Sequence, residues 1–263
     1  DVIFDNNQTQ QPASPGGGMH STNSNSLVYT VAPVLTNVTF SNNRALQGGA
    51  GGMFNFESHA VLTNVTFSGN SAYVRGGAML NEGSNPILNN VTLSGNTAPA
   101  GTGGAIRNIY ALGVTPSNPV IRNSIFWGDQ DEEITSDGTG TTTISYSVVE
   151  GGFAGGTNIV TTDPELKALA GNGGYTQTMA LGAGSSAVDV GNNSMCPASD
   201  QRGMLRPQGL TCDAGAYELD VVLLIAPVGT LASWENTFSW TGQSDATWYL
   251  LEVYTADGSV QVF

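Results

Sequence analysis

Four carboxylates fall within five residues: Asp129, Asp131, Glu132 and Glu133. Hard oxygen donors at that density suit Ca²⁺, which gathers several carboxylate and carbonyl oxygens around itself. These four are therefore the candidate metal ligands, with Ca²⁺ the one cofactor to test for. The run lacks the glycine-punctuated spacing of an EF-hand loop, so a solvated acidic turn is the competing reading. Arg107 and Arg122 lie on neighbouring segments. Carboxylates beside an arginine would also serve a polysaccharide lyase or a glycoside hydrolase. His20 and His59 stand alone in their segments and belong to no metal-ligand pattern. No Gly-x-Ser-x-Gly elbow is present, so no catalytic residue is assigned.

Cys196 and Cys212 are the two cysteines, in a loop-rich stretch without a CxxC pair. The expected state is a disulfide between them, which implies an oxidising compartment outside the cytoplasm. The chain carries a net charge of −14, with one lysine, Lys167, and six arginines. No basic patch exists to neutralise phosphates, so nucleic acid is not an expected partner. The longest apolar run, Val221 to Val228, is too short to span a bilayer. No signal peptide is visible, and the opening phrase Asp1 to Asn7 already reads as part of a repeat, as in a mature product or a fragment.

The elements that must position these groups are written as a repeat. The phrase Leu35-Thr36-Asn37-Val38-Thr39-Phe40-Ser41-Asn42-Asn43 returns at Leu62 to Asn70 and again at Leu88 to Asn96. The equivalent Asn37, Asn64 and Asn90 are separated by 27 and 26 residues. A period of that length, rich in β-branched residues, Asn and Gly, predicts a β-solenoid. Val65 and Phe67 share one face of a strand by period-two alternation. Leu62 is out of phase with them, so a corner falls at Asn64, a residue type that tolerates left-handed backbone. A second corner falls between Phe67 and Asn70, and the Gly-rich bend at Arg75-Gly76-Gly77 leads into a third short strand. Three short strands and three corners make one rung of a right-handed parallel β-helix.

Stacked rungs put like over like. Val38, Val65 and Val91 should form one internal column, and Phe40, Phe67 and Leu93 another. Asn43, Asn70 and Asn96 should form an amide ladder, at the spacing of about 4.8 Å between strands. The Gly pairs 17–18, 51–52, 76–77 and 103–104 recur in phase, and degenerate units follow at Ile121 to Asp129 and Thr143 to Val149. The β-helix is expected over residues 1–160, with five or six rungs. Asn7, Asn37, Asn64 and Asn90 begin Asn-x-Thr triplets, but the last three recur with the repeat and read as corners rather than glycan acceptors. Tyr29, Tyr73, Tyr110 and Trp127 could stack on sugars or pack over corners.

The phrases Phe4…Asn7, Phe40…Asn43, Phe67…Asn70, Gly76-Gly77-Ala78-Met79 and Gly103-Gly104-Ala105-Ile106 resemble the repeats of polymorphic outer-membrane proteins and other bacterial surface β-helix proteins. Further on come Asp163-Pro164-Glu165-Leu166, Gly171-Asn172-Gly173-Gly174-Tyr175, Gly184-Ser185-Ser186-Ala187-Val188-Asp189, Cys196-Pro197-Ala198-Ser199-Asp200-Gln201-Arg202-Gly203, Arg206-Pro207 and Cys212-Asp213-Ala214-Gly215-Ala216-Tyr217-Glu218. This order is similar to the C-terminal part of "choice-of-anchor" β-helix domains of bacterial surface proteins. In that family such a segment precedes varied sorting signals, and none is visible here.

Residues 161–219 are accordingly expected to cap the β-helix, covering the last rung and pinned by Cys196–Cys212. An Asp200–Arg202 ion pair would lie inside the cap, and Asp189, Arg206 and Asp213 read as structural. Residues 220–263 change style. Alternating aromatic and β-branched residues around Gly turns predict antiparallel strands. They resemble the first strands of a fibronectin type III or immunoglobulin-like module. About 40 residues stand where a whole sandwich needs about 100.

Together these readings predict an all-β chain: a right-handed parallel β-helix, a disulfide-containing cap and a partial sandwich-like segment. The expected function is a non-catalytic, structural or adhesive role on an extracellular bacterial surface. Its partners would be other copies of itself, joined by β-strand addition through residues 220–263, or a cell-surface polysaccharide. The alternatives are a polysaccharide lyase or hydrolase working near Asp129 to Glu133, and a carbohydrate-binding β-helix without turnover.

Overall fold

The structure, a computed structural model, describes residues 1–10, 16–22, 32–110, 116–138, 140–182 and 184–220, together with four short strands beyond them. The chain divides into two units, Asp1–Leu219 and Asp220–Phe263.

The first unit is a parallel β-helix. Its first rung is β1 (Val2–Asp5), β2 (Gln8–Thr9) and β3 (Met19–Thr22). The second is β4 (Val34–Ser41), β5 (Arg44–Ala45) and β6 (Met53–Phe56). The third is β7 (Val61–Ser68), β8 (Ser71–Ala72) and β9 (Met79–Glu82). The fourth holds β10 (Ile87–Ser94) and β11 (Ile106–Ile109), and the fifth β12 (Val120–Arg122), β13 (Ile125–Trp127) and β14 (Ile134–Ser136). β15 (Thr143–Val149) and β16 (Thr157–Val160) complete the stack. Equivalent strands pair in parallel, giving an eight-stranded sheet led by β1, a five-stranded sheet ending on β3 and a three-stranded sheet β2-β5-β8.

The register is the one the repeat demands. Val38 pairs with Val65 and Val65 with Val91, while Phe4, Phe40, Phe67 and Leu93 form the adjoining column. The three phenyl rings stack with centroids 4.7 Å apart and planes within 6°. That is the strand spacing itself, so the rings keep the stacking period and fill the core continuously. Met53, Met79 and Ile106 fill the opposite wall. The expected corners are present: Asn37, Asn64, Asn90 and Asn123 have φ between 48° and 56°. Each is a single left-handed residue inside or beside an otherwise extended run, which Asn accepts at little cost. The next corner is also left-handed, at Asn42, Gly69, Gly95 and Gly128.

The Gly pairs have a different cause. A Cβ on Gly77 would lie 2.1 Å from the carbonyl oxygen of Gly104, and one on Gly51 would lie 2.3 Å from that of Gly77. At this bend adjacent rungs approach backbone to backbone, and no side chain fits between them.

Residues 161–219 depart from the expected end cap. They form a flank along the side of the eight-stranded sheet. Hydrogen bonds tie the flank to Thr39, Thr66, Asn90 and Asn123, one on each of four successive rungs. The C-terminal end of the core is covered instead by Phe153 and Ile159, which pack against it from the β15–β16 connection and β16. The physical reason is that the outward side of the sheet carries buriable Thr or Asn side chains on four successive rungs, a larger complementary surface than one terminal rung.

In the second unit β17 (Leu224–Ala226) pairs antiparallel with β18 (Ser239–Trp240), and β19 (Glu252–Tyr254) pairs antiparallel with β20 (Val260–Val262). Asp257-Gly258, one of the Gly turns that predicted antiparallel strands, lies outside the described residues, as do most of the aromatic positions that suggested a sandwich module.

Candidate functional site

Two ladders of amides run along the inside of the coil. In one, Asn7 Nδ2 donates to Asn43 Oδ1, Asn43 Nδ2 to Asn70 Oδ1, and Asn70 Nδ2 to Asn96 Oδ1, at 2.8, 2.9 and 2.8 Å. Each Oδ1 also accepts the backbone N–H of the residue above, and each of Asn43, Asn70 and Asn96 gives its second Nδ2 hydrogen to the carbonyl of Phe4, Phe40 or Phe67. The predicted trio is therefore a fully bonded column, and Asn7 extends it. The second ladder, Asn55–Asn81–Asn108, lies on the opposite wall. Nothing in the repeat phrases used to find the first ladder marked it, although the 26- and 27-residue steps are the same.

The first ladder ends on an acid. Asn96 Nδ2 donates to Asp129 Oδ1 at 2.7 Å, and the Asn96 N–H donates to the same oxygen. An aspartate has acceptors and, when ionised, no donor, so it can close the column without needing a further rung below it. Its other oxygen, Oδ2, and both Glu133 oxygens are buried without a hydrogen-bond partner of good geometry among the described residues. The two carboxyls lie against each other with Glu150 close by; burial pushes both up, and the Asp129 charge pushes Glu133 further, so that Glu133 is raised most. A proton retained on Glu133 and donated to Asp129 removes one buried charge and meets the orphan oxygen of Asp129 at once.

The four-carboxylate cluster is thus split by the turn. Asp129 and Glu133 point inward and are buried, whereas Asp131 and Glu132 face solvent. Asp131 takes a left-handed φ of 60°, which throws the chain outward between the two. Among the described residues no three His, Cys, Asp or Glu side chains come together as metal ligands. Among the described residues the ion pairs lie elsewhere, and neither Arg107 nor Arg122 pairs with this group. A cavity of about 290 Å³ opens beside it, lined by Asp131, Glu132, Glu133, Glu150 and Phe153 among others. Glu150 Oε2 is held by the Gly128 N–H at 2.7 Å.

The remaining candidates fall out as follows. His20 lies over Phe54 with ring centroids 5.1 Å apart, and burial lowers its basicity. His59 Nδ1 accepts the Asn85 N–H at 3.0 Å, a rung-to-rung contact. Tyr73 is exposed and Tyr110 is partly so, whereas Trp127 packs against the apolar cluster shared by β13, β15 and the flank. Tyr29 lies outside the described residues.

The flank is the most elaborated polar feature of the unit. Gln201 bridges two rungs: Oε1 accepts from Thr66 Oγ1 at 2.7 Å, and Nε2 donates to Thr39 Oγ1 at 2.8 Å. Thr92 Oγ1 accepts the Ala216 N–H, and Asn64 and Asn90 donate to the carbonyls of Ser199 and Asp213. The three Asn-x-Thr triplets that recur with the repeat are thereby explained. In the triplets of Asn64 and Asn90 the left-handed Asn and the Thr two residues on both bind the flank, and in that of Asn37 the Thr does. Asn64 and Asn90 are buried there, closed to any glycan in the folded state.

Inside the flank, Asp200 pairs with Arg202 at 2.8 Å as expected, and Arg206 pairs with Glu218 at 2.7 Å with both side chains fully buried. Arg202 also stacks on the Tyr217 ring, 3.5 Å from its centroid. Arg206 donates to the carbonyls of Asp213 and Gly215, and Glu218 accepts the N–H groups of Asp213 and Gln208. Burial and the Glu218 charge raise Asp213 to about 7. Cys196 and Cys212 form the predicted disulfide, seated on Asn123.

Parallel sheets, in-register columns and a single coil define this unit as a right-handed parallel β-helix. The chain belongs to the right-handed β-helix family, whose model matches residues 1–170. A search of curated proteins found no match. A search of solved structures found none either.

Proposed function

We propose that the protein is a non-catalytic structural or adhesive element of an extracellular bacterial surface. The observation that carries this reading is the bracing of the coil. The Asn and Thr side chains that the eight-stranded sheet turns outward along four rungs are used to hold the chain's own flank. That flank is locked by a disulfide and a buried ion pair. Such an arrangement spends the sheet's polar surface on rigidity, which suits a spacer or scaffold. The disulfide and the resemblances to polymorphic outer-membrane repeats and choice-of-anchor domains support an extracellular, surface-attached setting. Residues 220–263, with their antiparallel strand pairs, are the segment that would join copies by β-strand addition. Electron microscopy of native material, with light scattering on the isolated chain, tests the reading. Regular filaments support it, and dispersed monomers on both counts sink the polymer.

One observation favours a second reading. The cavity beside Glu133 sets carboxylates and Phe153 side by side, a pairing that suits sugar hydroxyls and a pyranose face, with Ca²⁺ as a further ligand for the acids. A polysaccharide-binding or polysaccharide-cleaving role would then reside there. Alanine at Asp131 and Glu132 tests it, because both are solvent-facing and lie outside the ladder. Loss of polysaccharide binding or turnover with an unchanged unfolding temperature would favour this reading over the first.

A further inference from the structure

Glu133 is a buried acid whose needs the coil does not meet. It is 5% exposed, and neither carboxylate oxygen has a hydrogen-bond partner of good geometry among the described residues. The proton it shares with Asp129 occupies one of them and leaves the other without a donor. A buried carboxylate in that condition is destabilising until N–H or O–H groups reach it. The ladder has none to give, because the Asn96 amide donates to Asp129 and to the carbonyl of Phe67.

Glu133 also lines the cavity of about 290 Å³. The other charged groups on that lining are Asp131, Glu132 and Glu150, with no lysine, arginine or histidine among them. Asp129 stands against Glu133 from outside the lining and adds a further negative charge. Val149 and Phe153 contribute apolar wall. Unmet acceptors, negative charge and an apolar wall are complemented by a cation that carries several N–H donors on an aliphatic stem. A calcium ion is a poorer match, since it gathers about six to eight oxygens. Among the described residues no three acids converge as metal ligands. A neutral sugar would supply donors and leave the charge uncompensated.

We propose that this cavity binds an organic cation of the lysine or arginine side-chain type, whose ammonium or guanidinium N–H groups meet the Glu133 oxygens while its stem lies along Val149 and Phe153. Glu133 receives the cation as a carboxylate, and the proton it held passes to solvent. Asp131 and Glu132, both solvent-facing, attract the cation without holding it. The inference rests on the second reading above only in taking this cavity as a binding site, and it puts a cation where that reading puts a sugar.

The test is an NMR titration of the whole chain with Nα-acetyl-lysinamide and with Nα-acetyl-argininamide, following the amides of Gly151 and Gly152 on the cavity lining. Nα-acetyl-norleucinamide, with a similar stem and no charge, is the control. At least one cation should bind, and the control should not. Affinity should rise by about tenfold or more from pH 5 to pH 8, because Glu133 gives up its proton while either ligand stays charged. Glu133→Gln keeps the shape and supplies its own donor to Asp129. It should weaken binding by about tenfold or more at pH 8 and remove the pH dependence, with its melting transition showing that it is folded. Asp131→Ala with Glu132→Ala should weaken binding by less than about threefold. No shift with either cation, equal binding of the control, or a loss in the double alanine variant equal to that of Glu133→Gln would overturn the proposal. Calcium chloride moving these amides where neither cation does would also overturn it. Binding of a neutral oligosaccharide without either cation would overturn it and leave the polysaccharide reading standing. Binding of a cation without any polysaccharide would support it and sink that reading.

Discussion

At the residue scale, the informative groups are those that a solenoid buries against its own repetition. Asn70 sits mid-ladder, fully buried, and satisfies the amide and backbone N–H of Asn43. Replacing it with Leu leaves those donors and the Asn96 oxygen unmet, at about 1–3 kcal/mol for each orphaned group. We expect Asn70→Leu to lower the melting temperature by about 10 °C, read by calorimetry. Glu133 offers the opposite experiment. Its folded pKa is raised by burial and by Asp129, as that of Asp213 is raised to about 7 by burial and Glu218. Above ordinary carboxylate values the folded state then holds more protons than the unfolded chain, so stability falls as pH rises. The loss starts near pH 4, runs through about pH 7 for Asp213 and continues into alkaline pH for the acid pair. Melting temperatures should therefore be higher at pH 5 than at pH 9. Glu133→Gln supplies a permanent donor to Asp129, so it should stabilise the protein at pH 9 and flatten this profile. An unchanged profile would mean that the pair does not hold its proton.

At the element scale, the rungs and the flank support one another by different physics. The rungs are held by column packing, so Phe67→Ala opens a cavity between Phe40 and Leu93 and should cost about 3–5 kcal/mol. The Gly bends are constrained by backbone proximity. Gly77→Ala drives a Cβ into the Gly104 carbonyl and should yield insoluble or partly folded protein, judged by recovery on size exclusion. The flank is held by its disulfide, its ion pairs and the Thr and Asn side chains of the sheet. Closing a loop of 16 residues contributes about 3 kcal/mol in the chain-entropy account. Reduction should therefore expose residues 193–211 to protease first, while peptides from the rungs persist, as mass spectrometry of a limited digest would show. Simultaneous loss of rungs and flank would make the flank part of one cooperative unit with the coil.

At the scale of the whole molecule, the β-helix unit is a coil braced along one side by its own flank. Its polar groups are spent mainly on internal columns and on the flank. Native material should contain regular assemblies, and the isolated chain should scatter light in a concentration-dependent way that residues 220–263 control. Deleting those residues should leave the melting transition of the first unit in place while abolishing assembly, because the two units are separately compact.

What the sequence determined by itself was whatever depends on repetition. A 26- to 27-residue period, Val and Phe in alternate places and Asn at fixed offsets force like over like. The parallel register, the Phe column, the Asn43–Asn70–Asn96 ladder and the left-handed corners were legible for that reason. The disulfide was legible because two cysteines have one pairing. What only the tertiary structure decided depends on which way a side chain turns at an irregular place. The acidic run reads as one cluster in sequence, yet a left-handed Asp131 sends Asp129 and Glu133 into the coil and leaves Asp131 and Glu132 in water. The segment after the rungs reads as an end cap, yet it lies along the side, because Thr39, Thr66 and Thr92 recur on one outward face and only stacking brings them into line. Periodic positions inherit their environment from their neighbours in the repeat; the loop between rungs and the flank have no such template, and their environment exists only once the coil has formed.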